Sequence, residues 1–218
     1  MKRVAVVLFN LGGPENLKAV QPFLFNLFND PAIISLPNPL RWLVARLISN
    51  RRAQVAKKIY ASLGGSSPLL SNTCKQAAAL EEQLVDIGEV RVFIAMRYWH
   101  PMSDETAIAV NHFDPNRIIL LPLYPQFSTT TTGSSLKEWN RASIAAGLTA
   151  PTYSICCFPN DCGWITALVQ LVRDGIGTAA DSGLPRVLFS AHGLPKKIVD
   201  QGDPYAWQVR LTVAAVVK

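Results

Sequence analysis

Apolar and polar positions fall in blocks along this chain. Short apolar runs at 4–9, 90–96, 117–123, 152–157 and 186–191 read as buried strands. Helical periodicities lie near 16–29, 39–49, 51–62, 72–86, 103–112, 134–146 and 162–176. Strands alternating with helices imply right-handed crossovers and a parallel sheet covered on both faces, an α/β fold. Asp203-Pro204 opens a further helix, as an N-cap followed by proline at the first helical position. That helix runs through Trp207, Val209 and Val213 to Lys218 without a glycine or proline stop, so the chain reads as ending in mid-element.

Composition narrows this picture slightly. At 218 residues and 49% hydrophobic, the chain can bury a real core and suits one α/β domain or one and a half. The first apolar run is closed by Asn10 and Gly12-Gly13-Pro14, which predicts a first strand and not a secretory signal. No stretch approaches the roughly 20 apolar residues that span a bilayer. A cytoplasmic protein with no transmembrane segment is expected, with peripheral membrane contact left open. A net charge of +6 fits an anionic partner, but scattered basic residues and no aromatic–basic motif predict no nucleic-acid binding. Cys74, Cys156, Cys157 and Cys162 lack metal-knuckle spacing and read as buried, reduced thiols.

Candidate chemistry collects in loops after predicted strands. His192 ends the run Arg186–Ala191 and is followed at once by Gly193 and Pro195. In an open α/β sheet, ligands bind at the carboxyl ends of strands, where a neutral imidazole can ligate a metal or accept a proton. A core histidine bonded to a carbonyl would look the same. Asn10-Leu11-Gly12-Gly13-Pro14-Glu15 permits positive φ and close approach of backbone to a ligand, but lacks a dinucleotide fingerprint. Arg51-Arg52 offers paired forks for carboxylates or phosphates, or is simply an exposed basic helix face. In Tyr124–Leu136, hydroxyls crowd a strand-to-helix step that favours anions, with Ser134 or Ser135 as the alternative helix cap.

Together these segments resemble the ferrochelatases, which insert ferrous iron into a porphyrin. The matching blocks are Asn10–Glu15, Arg51-Arg52 with Tyr60, Gly64–Pro68, Arg97–Pro101, Tyr124–Ser135, Leu188–Pro195 and Gly202–Tyr205. The resemblance implies a chelatase-like parallel sheet flanked by helices on both faces: an N-terminal domain over 1–185, then residues 186–218 as a strand carrying His192 and a helix leading to a second, similar domain. It implies that His192 is the catalytic residue, as proton acceptor, metal ligand or both. Leu11, Tyr60, Tyr124 and Phe127 would wall the porphyrin, Arg51 and Arg52 would face its propionates, and Ser67 and Thr130 would be small polar pocket positions. His100, in Arg97–Pro101, reads as part of a structural turn, and His112 as a solvated helix end.

Two departures bear on function. The family's second domain, with the carboxylate that faces the histidine, does not occur within these residues; Asp200 and Asp203 are unconvincing substitutes. Thr129 stands where some members have an iron–sulfur ligand cysteine, so no cluster and no other prosthetic group is expected, with Fe2+ as substrate. The expected function is iron insertion into porphyrin in haem biosynthesis, impaired in a chain of this length. The alternative is a non-catalytic fragment or pseudoenzyme that only binds porphyrin.

Overall fold

Arg3–Asn10 forms β1, a central strand, in the computed structural model, which describes residues 2–179 and 183–218. Ala5 to Phe9 are all buried, because helices cover both faces of this strand and both sets of alternating side chains must be apolar. β1 pairs in parallel with β2 (Glu89–Met96) and with β3 (Arg117–Pro122), and β4 (Thr152–Ser154) pairs with β3. The strand order is β2-β1-β3-β4.

The first crossover holds α1 (Val20–Phe28), α2 (Leu40–Ser62) and α3 (Leu69–Gln83); single helices α4 (Ser103–Phe113) and α5 (Thr132–Ala145) make the next two. On one sheet face, Val6, Leu8, Val92, Ile94, Ile119 and Leu121 gather with Ala77 and Leu80 of α3. On the other, Trp139 of α5 meets Phe9 edge-on, and Phe113 of α4 tilts against Phe93. Val20, Phe23 and Leu24 of α1 form a separate cluster with Tyr98 from the loop after β2.

Two compact units divide the chain. The first runs to Leu123 and resumes over Thr129–Ile155; the second joins Tyr124–Ser128 to Cys156–Lys218. The second contains α6 (Cys162–Ala179), α7 (Lys196–Asp200) and α8 (Tyr205–Val217), with α6 and α8 packed together.

Three expectations are corrected. The periodicities at 39–49 and 51–62 belong to one helix, since Ser49 and Asn50 do not break it and instead bond to Gln21 across the α1–α2 interface. The run 152–157 pairs only as far as Ser154, although Ile155 still donates its N–H to the Leu120 carbonyl. The predicted strand at 186–191 is irregular, with Leu188 82% exposed. A strand exists only through a ladder to a neighbour, and no strand among the described residues lies beside this one.

Candidate functional site

In the first unit, the loops that leave β1 and β2 zip together past the strand ends. Arg97 N–H donates to the Asn10 carbonyl and Tyr98 N–H to the Leu11 carbonyl. The side chain of Asn10 caps its own loop by accepting from Leu11 N–H, while its amide reaches Thr73 on α3. Leu11, Tyr60 and Trp99 each pack on the Val20–Phe23–Leu24–Tyr98 cluster. Burial pushes the Tyr60 phenol up from its usual value.

The expected positive φ occurs at Gly12, and both glycines also make room for neighbouring protein atoms. Gly12 has φ of 84°, and a Cβ there would meet Trp99 N at 3.0 Å. A Cβ on Gly13 would overlap the side chain of Ser67. The loop thus lies close against the protein itself, with Ser67 seated against Gly13 and Pro14. Ser67 N–H donates to the Pro14 carbonyl at 2.8 Å, and its hydroxyl accepts from Leu69 N–H at the start of α3.

The two arginines are placed apart. At about 100° per residue, Arg52 stands near the side of α2 that carries Ala56 and Tyr60, and Arg51 on the opposite side from Tyr60. Arg52 lies 5.7 Å over the ring of Phe28, which belongs to the same cluster as Tyr60. Thr130 is buried two residues before α5.

One residue that sequence reasoning missed, Asp30, is bonded to Tyr98 of this cluster. Asp30, just after α1, is 4% exposed. Arg97 donates to its carboxylate at 2.7 Å, as do the hydroxyls of Tyr98 and Ser134 and the Ala32 N–H. Arg97 also donates to Ser134 Oγ at 2.7 Å. Burial alone would push the Asp30 carboxyl up, but the Ser134 and Ala32 hydrogen bonds and the Arg97 charge outweigh it and hold it below the usual range. Burial and the facing Asp30 charge push the Tyr98 phenol far up. Ser134 therefore anchors α5 to Asp30, and no side chain caps the helix. The only signal in sequence was Asp-Pro at a helix end, which is common to many loops.

Beside this cluster is a cavity of about 570 Å3 lined in part by Lys137, Glu138 and Arg141. Arg141 is held by Glu138 and Asp104, at 2.6 Å each.

In the second unit, the segment bearing Tyr124 is fastened to α8. Gln126 donates to Thr212 Oγ1 at 2.9 Å, and Phe127 N–H donates to Gln208 Oε1 at 2.7 Å. Ser128 donates to Asp203, whose other carboxylate oxygen accepts from Tyr205 N–H, so Asp203 does cap α8 as expected. His192 is exposed and lines a cavity of about 290 Å3 with Gln126, Trp164, Phe189, Tyr205 and Val209. The structure thus brings His192 to the segment that carries Tyr124.

Other expected residues fall outside these groups. His100 bonds Glu105 at 2.9 Å in the turn before α4, and His112 is an exposed residue of that helix's last turn. All four cysteines are free, as expected, but none is buried: Cys74, Cys156 and Cys162 are exposed and Cys157 half-buried. They leave the core because Cys74 stands on the outer face of α3 and the others follow the short edge strand β4. Among the described residues, no three His, Cys, Asp or Glu side chains converge to hold a metal ion. No helix among them is long and apolar enough to cross a membrane.

Compared with known proteins, the chain matches the ferrochelatase family over residues 3–218. It is 53% identical over 218 residues to the ferrochelatase of Phenylobacterium zucineum (strain HLK1), covering 98% of this chain and 62% of that protein. To the ferrochelatase of Rickettsia bellii (strain OSU 85-389) it is 51% identical over 219 residues, covering 100% and 60%. To that of Caulobacter vibrioides (strain NA1000 / CB15N) it is 52% identical over 218 residues, covering 99% and 62%. The chain spans about three fifths of the length of these curated relatives.

Proposed function

This chain belongs to the ferrochelatase family, and from that we propose that it binds a dicarboxylate porphyrin and serves the insertion of ferrous iron into it, in haem biosynthesis. The observation that carries the reading is the packing of Leu11 and Tyr60 on one apolar cluster, with Arg52 at its edge and Ser67 against Gly13 of the Leu11 loop. A flat apolar disc with carboxylate tails needs an apolar wall and few cations, and this platform offers both. Tyr60 and Tyr124 carry hydroxyls that can bond at the disc's edge. Thr130 is a further contact under this reading, while Arg51, on the far side of α2 from Tyr60, is left off the platform.

Metallation breaks two pyrrole N–H bonds and forms bonds from the four ring nitrogens to Fe2+, releasing two protons. His192 is the group assigned to receive a proton or to hold the incoming ion; an imidazole does either near neutral pH. Its exposed position beside a cavity gives it access to both. Fe2+ is substrate, and with threonine at position 129 no iron–sulfur cluster is assigned. We place the protein in the cytoplasm, a reading supported by four cysteines that stay as free thiols.

Titration with a dicarboxylate porphyrin, followed by fluorescence quenching, tests the binding half of this reading. Binding weakened by replacing Tyr60 or Arg52 with alanine is the expected result. Unchanged affinity in both variants would remove the platform from the site. For His192→Ala the expectation is porphyrin binding without metal insertion.

A further inference from the structure

Cys156 and Cys157 are adjacent residues in irregular structure, where the second unit's main segment begins. Both are free; Cys156 is exposed and Cys157 half-buried. As neighbours in the chain their Cα atoms stand about 3.8 Å apart, which puts both sulfurs within reach of one atom; partial burial and the neighbouring Cys157 thiol push the Cys156 thiol up. Cys157 Sγ also accepts from Gln208 Nε2 at 3.4 Å, while Gln208 Oε1 accepts from Phe127 N–H. Gln208 is buried. One side-chain amide thus links a thiol to the segment that carries Tyr124.

We propose that Cys156 and Cys157 form a dithiol site for thiophilic ions of the trivalent arsenical class, and that capture there weakens the hydrogen bond by which Gln208 of α8 holds Phe127. Soft thiol ligands select such ions over harder ones. Once the first arsenic–sulfur bond forms, the second thiol attacks from the neighbouring residue at high effective concentration, so a ring closes that no single thiol can match. With an organoarsenic oxide, two S–H bonds break and two As–S bonds form. The arsenic-bound oxygen leaves as water with both protons, and no electrons are transferred. Drawing both sulfurs onto one atom takes Cys157 Sγ from Gln208 Nε2, so the amide whose oxygen holds Phe127 loses its second anchor. The site shares no residue with the porphyrin platform and stands whether or not the iron-insertion reading holds.

The test uses the reduced chain carrying Cys74→Ser and Cys162→Ser, which leaves only the adjacent pair. Phenylarsine oxide is the probe, with intact mass, thiol titration and hydrogen exchange at Phe127 as readouts. One arsenical per chain is expected, with both thiols consumed, resistant to excess glutathione and reversed by a small dithiol. Adding Cys156→Ser or Cys157→Ser should abolish that resistance. In the adduct, exchange of the Phe127 amide should rise about two- to tenfold, the worth of one hydrogen bond. In Gln208→Ala that exchange should be fast already and indifferent to the arsenical. Equal glutathione resistance in the Cys156→Ser variant, or no adduct on the folded chain, overturns the site. An adduct that leaves Phe127 exchange unchanged overturns the coupling.

Discussion

Asp30 shows how much one buried carboxylate can organise. It ties the end of α1, the loop after β2 and the start of α5 through Arg97, Tyr98 and Ser134. Replacing it with asparagine leaves Arg97 largely buried without its counter-charge, a loss of roughly 3–5 kcal/mol. Urea unfolding of Asp30→Asn should show a loss of that size. Because the folded carboxyl is held below its ordinary value, the unfolded chain binds the proton more tightly. The stability Asp30 contributes is therefore present above about pH 4 and lost as pH falls through the lower folded value. Stability measured from pH 5 downward should fall more steeply in the wild type than in Asp30→Asn; equal slopes would show that another group governs acid lability. Gly13 makes a second test at this scale. Gly13→Ala pushes its Cβ into Ser67 and should cost about 1–3 kcal/mol as overpacking. Ser67→Gly in the same chain should restore much of that, measured as a double-mutant cycle.

Helix α2 and helix α5 carry the element-level expectations. The buried stripe of α2 runs Ala45, Ser49, Ala53, and then Ala56 and Tyr60 at its edge, which turns Arg52 toward the platform and Arg51 away. Arg52→Ala should therefore weaken porphyrin binding more than Arg51→Ala, by up to about 1.5–3 kcal/mol if the contact is desolvated. Equal losses would mean that helix rotation does not set their roles. On α5, Trp139 is 2% exposed and meets Phe9 of β1 edge-on at 5.8 Å between ring centroids. Trp139→Ala should open a cavity between helix and sheet and cost about 3–5 kcal/mol, read by denaturant midpoint at unchanged slope.

For the molecule as a whole, the decisive expectation concerns turnover. Among the described residues, the cavity beside His192 is lined by no carboxylate, and its titratable groups are His192 and the phenol of Tyr205. Removing one preorganised electrostatic partner typically lowers a rate about 10²–10³-fold. Ferrous insertion by this chain, assayed without oxygen beside a full-length relative, should be slower by at least about that factor. Turnover within tenfold of the relative would show that His192 and its surroundings suffice. Exposed Leu188, Leu184 and Leu171 in the second unit add a matching expectation of concentration-dependent self-association, visible by sedimentation.

Four strands, the parallel α/β class and the loops of interest were legible in residue order, because a strand buried on both faces must be apolar throughout and helices must show their own period. The motifs around Leu11, Tyr60, Tyr124 and His192 were legible too, as runs of residue types. Three things were decided only by the tertiary structure. Asp30 and Ser134 are 104 positions apart and meet only when α1 and α5 converge. Gly12 and Gly13 signalled a close approach, yet which atoms approach depends on where Trp99 and Ser67 arrive. The apolar run at 186–191 had the composition of a strand, but pairing is a property of two segments, and a single segment cannot announce its neighbour.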